Sequence, residues 1–453
     1  MRRHSIYYLL FLFVAIAPAL TASKVAAQTP HVLTLQEALE LAGRHSQQIR
    51  QSRAEVEKSR LSVNEARAGR LPTVGLDGRY TNNLASPVIV LPEGSPFGTV
   101  LRTGARHNFN ASAQATIPVY NARLNRSIGL SRVVEELETS LHESTVREVE
   151  IEVQRAFLNG LLTRESFAVL QRSHETLQRN LELVEALYAE GMAPEYDMIR
   201  TEVQVRNVEP ELARAENNHE GALNYLKLIT GVPIHEDVVL AGTLEELHAS
   251  LPTAVFESDF ERNRQLIQLE AQHEIAEHQI GLERATYLPT LSAFGNFTYQ
   301  GQGETLAVWD YPWSHSSAVG LVLSIPIFSG GRRERVERAE IERHQVQMQQ
   351  EFLSESLQSE FETTLSRIEQ LEATIAAQER NIAQAERGFE IARTSYEQGV
   401  HSLLDVNDAE AALTNARLNY AISLADYINA MLDMEDLVGN PQLTSNTGVQ
   451  QRP

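Results

Sequence analysis

The second half of this chain repeats the first at a nearly constant offset, and that duplication restricts the fold more than any other feature. Leu71-Pro72-Thr73 returns as Leu288-Pro289-Thr290, and Ile117-Pro118-Val119-Tyr120 as Ile325-Pro326-Ile327-Phe328. Tyr188-Ala189-Glu190-Gly191 returns as Tyr396-Glu397-Gln398-Gly399, and Asp197 as Asp405. Each half reads helix, strand, strand, long helix, glycine turn, return helix. The chain divides into a first repeat over 28–232, a connector over 233–257, a second repeat over 258–440 and a polar tail, expected to be disordered, over 441–453. No room is left for an unrelated catalytic domain.

Leu33 to Arg70 is rich in Ala, Glu, Arg, Gln and Leu, carries apolar residues at helical spacing, and stops where Pro72 forbids continuation. Thr34 with Glu37 predicts a capping box at its start, and Ser258 or Asp259 is expected to cap the counterpart helix over Arg262 to Tyr287. Past each Pro the period changes to two. Phe109, Ala111, Ala113, Ala115 and Ile117 interleave with Asn108, Asn110, Ser112, Gln114 and Thr116, giving one apolar and one polar face. Similar alternation predicts strand pairs over 74–118 and 290–326, joined by loops over 82–107 and 300–314. Four strands of about ten residues have the length that crosses a bilayer when tilted. Tyr80, Phe294, Tyr299, Trp309, Tyr311 and Trp313 gather near them as interfacial aromatic girdles do.

Asn121 to Glu190 and Gly331 to Gln398 contain almost no helix breakers. At 1.5 Å per residue such helices reach about 100 Å, beyond any globular core. Leu137, Leu141, Val149, Val153, Leu177, Leu181 and Val184 form a seam on the first, and Ile368, Leu371, Ile375, Ile382 and Phe389 on the second, so both must pack along their length. Return helices follow over Tyr196 to Ile229 and Ser402 to Val438, ending at Gly231 and Gly439. Pro210 predicts a kink in the first of them.

Arg2-Arg3, an apolar run from Ile6 to Ala19 and small residues at Val25-Ala26-Ala27 read as a signal peptide over 1–27. No later stretch approaches the roughly 20 apolar residues of a spanning helix, so any membrane span must be β. There is no cysteine. That fits an oxidising compartment and leaves no acceptor for a lipid anchor. A net charge of -21 argues against nucleic acid as a partner. It suits a solvated helical surface and equally a field that favours cationic cargo.

Four amphipathic strands cannot close a barrel, for which about eight is the minimum, and an open edge in hydrocarbon leaves backbone groups unsatisfied. The barrel must be shared between chains. Three copies supply twelve strands and a lumen, two a narrow plugged barrel. Asp405 and Asp408, three apart on one helix face, would converge in such an assembly as stacked acidic rings that favour cations. Gly191 and Gly399 mark the turns between helices, as backbone caps or as contacts for a docking protein.

The second tip reads Tyr396-Glu397-Gln398-Gly399-Val400-His401-Ser402-Leu403-Leu404-Asp405-Val406-Asn407-Asp408, and with the duplicated halves and two strand pairs it resembles the outer-membrane efflux protein family of TolC-like exit ducts. The resemblance implies a fold that is mainly α with a membrane β-barrel: long antiparallel helical hairpins form an α-barrel, and each protomer of a homotrimer gives four strands to a twelve-stranded barrel. It also implies the outer membrane of a Gram-negative bacterium, a periplasmic adaptor, and an inner-membrane pump of RND or ABC type, in efflux or type I secretion. A gate at the periplasmic tips would use Asp405, Asp408, Tyr396, His401 and Asp197. Similar family members carry arginine where this chain has His401, which makes a pH-sensitive latch the expectation there.

No catalytic residue, cofactor site or metal site is expected. His273-Glu274-Ile275-Ala276-Glu277-His278 imitates a zinc-protease signature, but its histidines are five apart and do not share a helix face. The alternative reading is a periplasmic coiled-coil adaptor or scaffold whose strands form a small soluble domain. Such a domain would need more strands per chain to bury its apolar face.

Overall fold

The computed structural model describes residues 31–85, 88–94, 96, 98–102, 104–251, 256–400 and 402–439. The expected signal peptide, the tail and His401 lie outside the described residues. Strand β1 (His31–Leu33) leads into helices α1 (Leu35–His45) and α2 (Gln47–Ala68). Strands β2 (Thr73–Asn82), β3 (Val88–Val90), β4 (Val100–Arg102) and β5 (His107–Asn121) follow, then helices α3 (Ala122–Ala189) and α4 (Glu195–Thr230). The connector holds β6 (Val238–Leu240) and α5 (Leu244–Ser250). The second half has α6 (Arg264–Ala285), β7 (Thr290–Gly303), β8 (Ser314–Ser324), α7 (Arg332–Glu397) and α8 (Leu403–Val438).

The helix expected over Leu33 to Arg70 is two helices broken at Ser46, whose backbone leaves the helical region at φ −55, ψ 127. No glycine or proline causes this break. The Ser46 hydroxyl accepts from the Ile49 amide, so it starts a second helix by competing with the first. The capping box is half present: Thr34 accepts from the Glu37 amide at 3.2 Å, while the Glu37 carboxylate turns to His31. In the second half neither Ser258 nor Asp259 is the cap. Asn263 starts α6, accepting from the Gln265 and Leu266 amides, and its own amide donates to the Leu437 carbonyl at 2.9 Å. A buried side chain tied to the end of α8 outcompetes exposed candidates upstream.

Strands β2, β5, β7 and β8 form one antiparallel sheet in that order. The register opposes Tyr80 to Phe109, Ala111 to Tyr299, Ala113 to Phe297 and Gly295 to Val319. One face therefore collects Val74, Leu76, Ala113, Ala115, Phe297, Val319 and Leu321, and the other Asn110, Ser112, Gln114, Asn296, Thr298 and Ser316. The apolar face is uncovered: Leu76 is 82% and Val319 88% exposed. Tyr80 packs on Phe109 with ring centroids 4.7 Å apart, and Tyr299 stacks on Trp313 at 4.9 Å, making an aromatic end to the sheet. The loop over 82–107 is not featureless, since β3 and β4 form a small hairpin in it.

Helices α3 and α7 run for 68 and 66 residues, about 100 Å each. Helix α4 continues through Pro210 from Glu195 to Thr230. Left-handed Gly231 and Gly439 end α4 and α8, as expected. The main core lies midway along α3, where Val153, Phe157, Leu158 and Leu161 meet Leu33, Leu226, Leu240, Leu424, Ile428 and Met431. Gly160 lets Leu240 close in, since a Cβ would sit 2.5 Å from Leu240 Cδ1 and push that side chain aside. Arg164 donates to the carbonyls of Leu240 and Gly242, fastening the connector to α3.

β1 pairs in parallel with β6, bringing the first described residues onto the connector. His31 seals this joint: Nδ1 lies 2.8 Å from Glu236 and Nε2 3.0 Å from Glu37. Only the imidazolium can donate to both carboxylates. The hydrogen bond to Glu236 first, then that to Glu37, raises the His31 pKa above its ordinary 6.5, against partial desolvation. The stabilisation is fully present below the unfolded-state pKa and is lost as pH rises through the folded-state value. We expect His31→Gln to lower the melting temperature at about pH 5.5 and to have a smaller effect at about pH 8.5. Thermal unfolding of both proteins across that range checks this.

Candidate functional site at the helix tips

Both hairpins turn by the same backbone device. At the first tip Gly191 has φ 75, with its amide donating to the Tyr188 carbonyl at 2.9 Å and the Met192 amide to Leu187 at 2.8 Å. At the second, Gly399 has φ 72, with amide bonds from Gly399 to Tyr396 and from Val400 to Ser395, both at 2.8 Å. This left-handed cap satisfies the last carbonyls of α3 and α7. A Cβ at either glycine would meet nothing within 4 Å, so backbone conformation alone demands glycine.

The repeats diverge in how the return helices start. Pro194 precedes α4 and offers no side-chain cap, so Asp197 stands in the first turn as a complement to the helix dipole. The corresponding Ser402 begins a capping box: the Asp405 amide donates to Ser402 Oγ at 3.4 Å, and the Ser402 amide donates to Asp405 Oδ2 at 3.0 Å. Ser402 Oγ is also 2.8 Å from that oxygen. Asp405 thus carries a local task that its spacing from Asp408 does not reveal. Asp408 lies one turn further along α8 and is exposed.

Tyr396, the last aromatic residue of α7, is half-buried. Burial first, and then the Asp197 carboxylate, push its phenol pKa upward. The two tips of one chain therefore bring Tyr396 and Asp197 into the same electrostatic neighbourhood. Tyr196, Ile199 and Val203 form an exposed apolar stripe on α4 beside them, with Tyr196 67% exposed. Sequence reading passed over Asn407 and Glu410, which are buried on α8 at 3% and 6% exposure. Polar residues within the buried spacing of Leu403, Val406 and Leu413 were the available signal.

Among the described residues no group of three or more metal-ligating side chains occurs. His278 lies against Gly129 on the neighbouring α3, and its Nε2 is 3.9 Å from Glu274. No described helix is long and apolar enough to cross a membrane.

A four-stranded amphipathic sheet carrying two helical hairpins, each with one arm of about 100 Å, has the architecture of a duct-type outer-membrane protein. The family model for outer membrane efflux protein matches residues 38–232 and 257–440, and the chain belongs to that family. It is 22% identical over 404 residues to outer membrane protein TolC of Escherichia coli K12, covering 86% of this chain and 79% of TolC. It is 22% identical over 299 residues to the alkaline protease secretion protein AprF of Pseudomonas aeruginosa, covering 63% of this chain and 60% of AprF. The crystal structure of CusC superposes with a TM-score of 0.75 at 17% identity, covering 90% of this chain and 92% of CusC. That of the outer membrane protein VceC from Vibrio cholerae gives 0.70 at 17% identity, covering 90% and 96%.

Removing the cap should loosen the second tip alone. Asp405→Ala and Ser402→Ala are each expected to cost about 1 kcal/mol locally. Amide exchange over 403–408 checks this, with the first tip unchanged.

Proposed function

We propose that this protein is the outer-membrane exit duct of a tripartite efflux or type I secretion system. It conducts passively what an inner-membrane pump, of RND or ABC type, and a periplasmic adaptor deliver. The observation that carries this reading is a sheet whose apolar face is uncovered and whose outer strands, β2 and β8, each have one edge unpaired among the described residues. Three copies joined β8 to β2 close twelve strands, with the apolar face toward lipid and the amide and hydroxyl face toward a lumen. The exposed apolar residues nearest the tips, Ile199 and Val203 on α4 and Ile391 on α7, then meet between neighbours and continue the tube. Catalysis has no part in this reading.

Related proteins are named for unlike cargo: alkaline protease secretion for AprF, pyoverdine export for OpmQ and cation efflux for CusC. A common duct whose inner-membrane partner selects the cargo accounts for that spread. The gate is assigned to the second tip, with Asp408 and the capping carboxylate of Asp405 forming acidic rings and Tyr396 beside Asp197 holding the hairpins together. His401 is the proposed pH-sensitive member, and the turns at Gly191 and Gly399 meet the adaptor.

The protein is expected to leave the membrane fraction only with detergent, as a heat-modifiable trimer. Recovery of folded monomer in the soluble periplasmic fraction favours the scaffold reading instead. In planar bilayers Asp408→Ala is expected to lower cation over anion selectivity, read as a shift of the reversal potential under a salt gradient.

A further inference from the structure

Near the tips α4 buries Thr201 and Val205, and α7 buries Ala392. The seam between hairpins carries a longer run of buried polar groups. There the buried stripe of α3 reads Val169, Ser173, Leu177, Asn180, Val184, and that of α8 reads Leu403, Val406, Asn407, Glu410, Leu413. Ser173 Oγ donates to Glu410 Oε1 at 2.6 Å across the seam, and Thr414 Oγ1 donates to the same oxygen at 2.9 Å. Asn180 Nδ2 and both amide atoms of Asn407 are buried without a hydrogen-bond partner. A seam built for stability alone would not hold these groups.

Buried polar pairs in helical seams specify register, because any other alignment strands the charge among apolar side chains. The stripe around Ser173 has this property. Sliding α8 by one turn moves Glu410 from the Ser173 hydroxyl to Val169 or Leu177, both apolar and buried. Glu410 is also two residues from Asp408 and five from Asp405 on the same helix. A one-turn slip displaces both acids by about 5.4 Å along the axis and separates Tyr396 from Asp197.

We propose that Ser173 and Glu410 are a register key between the two hairpins, positioning residues that set the height of the second tip against the first. The inference rests on the tips being the gate for its consequence, though not for its geometry. The absence of cysteine allows clean spin labelling of Glu190→Cys and Glu397→Cys, exposed residues at the two tips, in full-length trimers diluted with unlabelled subunits. Pulsed electron paramagnetic resonance then reads the tip-to-tip distance in three backgrounds: unaltered, apolar (S173A/E410L) and exchanged (S173E/E410S).

The apolar pair is expected to keep or raise the melting temperature while the distance distribution shifts or splits by about one helical turn, roughly 5 Å. The exchanged pair should restore a single distance. Bilayer recordings of the apolar variant should show several discrete conductance levels in place of one. A purely structural role would lower the melting temperature and leave the distance unchanged, and an unchanged distance in the apolar variant overturns the proposal. If the distance shifts while conductance does not, the register key stands and the assignment of the gate to the tips fails.

Discussion

Hydrogen bonding of the backbone in hydrocarbon is the constraint on which the rest of this structure depends. A four-stranded sheet has two outer edges, and in a bilayer no water is present to satisfy them. β2 and β8 lie at those edges, and among the described residues no further strand pairs with them. In the proposed assembly, closure between copies supplies the missing bonds, and twelve strands at the usual tilt leave a passage. The duplication has its physical use here, since two similar strand pairs and two similar hairpins let a trimer behave as a ring of six units.

The helices transmit that closure away from the sheet. Their own propensity does not hold helices of this length, so stability must come from side-by-side packing. The core midway along α3 is where it concentrates, with the connector strand β6, the N-terminal strand β1 and the end of α8 meeting around Phe157 and Leu161. Ion pairs extend the grip, Arg147 to the buried Glu435 and Arg155 to Asp433. Away from this belt toward the tips, the seam between hairpins turns polar.

The long elements were legible because their periods are unambiguous. A period of two beside Phe109 to Ile117 and a breaker-free helical pattern over α3 and α7 admit one reading each. Boundaries set by competition were not. The break at Ser46 follows from a hydroxyl that caps the next helix, and nothing local to the sequence ranks it above the serines nearby. Asn263 prevails over Ser258 and Asp259 because Leu437, distant in sequence, gives its amide a partner. Glu37 leaves its capping box for His31, which the pairing of β1 with β6 holds within reach.

The sequence by itself determined the classes of element, their order, their duplication and the need for more than one copy, because these follow from side-chain periodicity and from counting strands. It also located both tips, since a left-handed turn after a long helix calls for glycine at Gly191 and Gly399. Only the tertiary structure decided which side chains meet across elements. It put Tyr396 within electrostatic reach of Asp197, committed Asp405 to a cap, joined His31 to two carboxylates and set Ser173 against Glu410 in a buried seam. These are pairings between distant parts of the chain, and they depend on register and approach, which residue order does not encode locally.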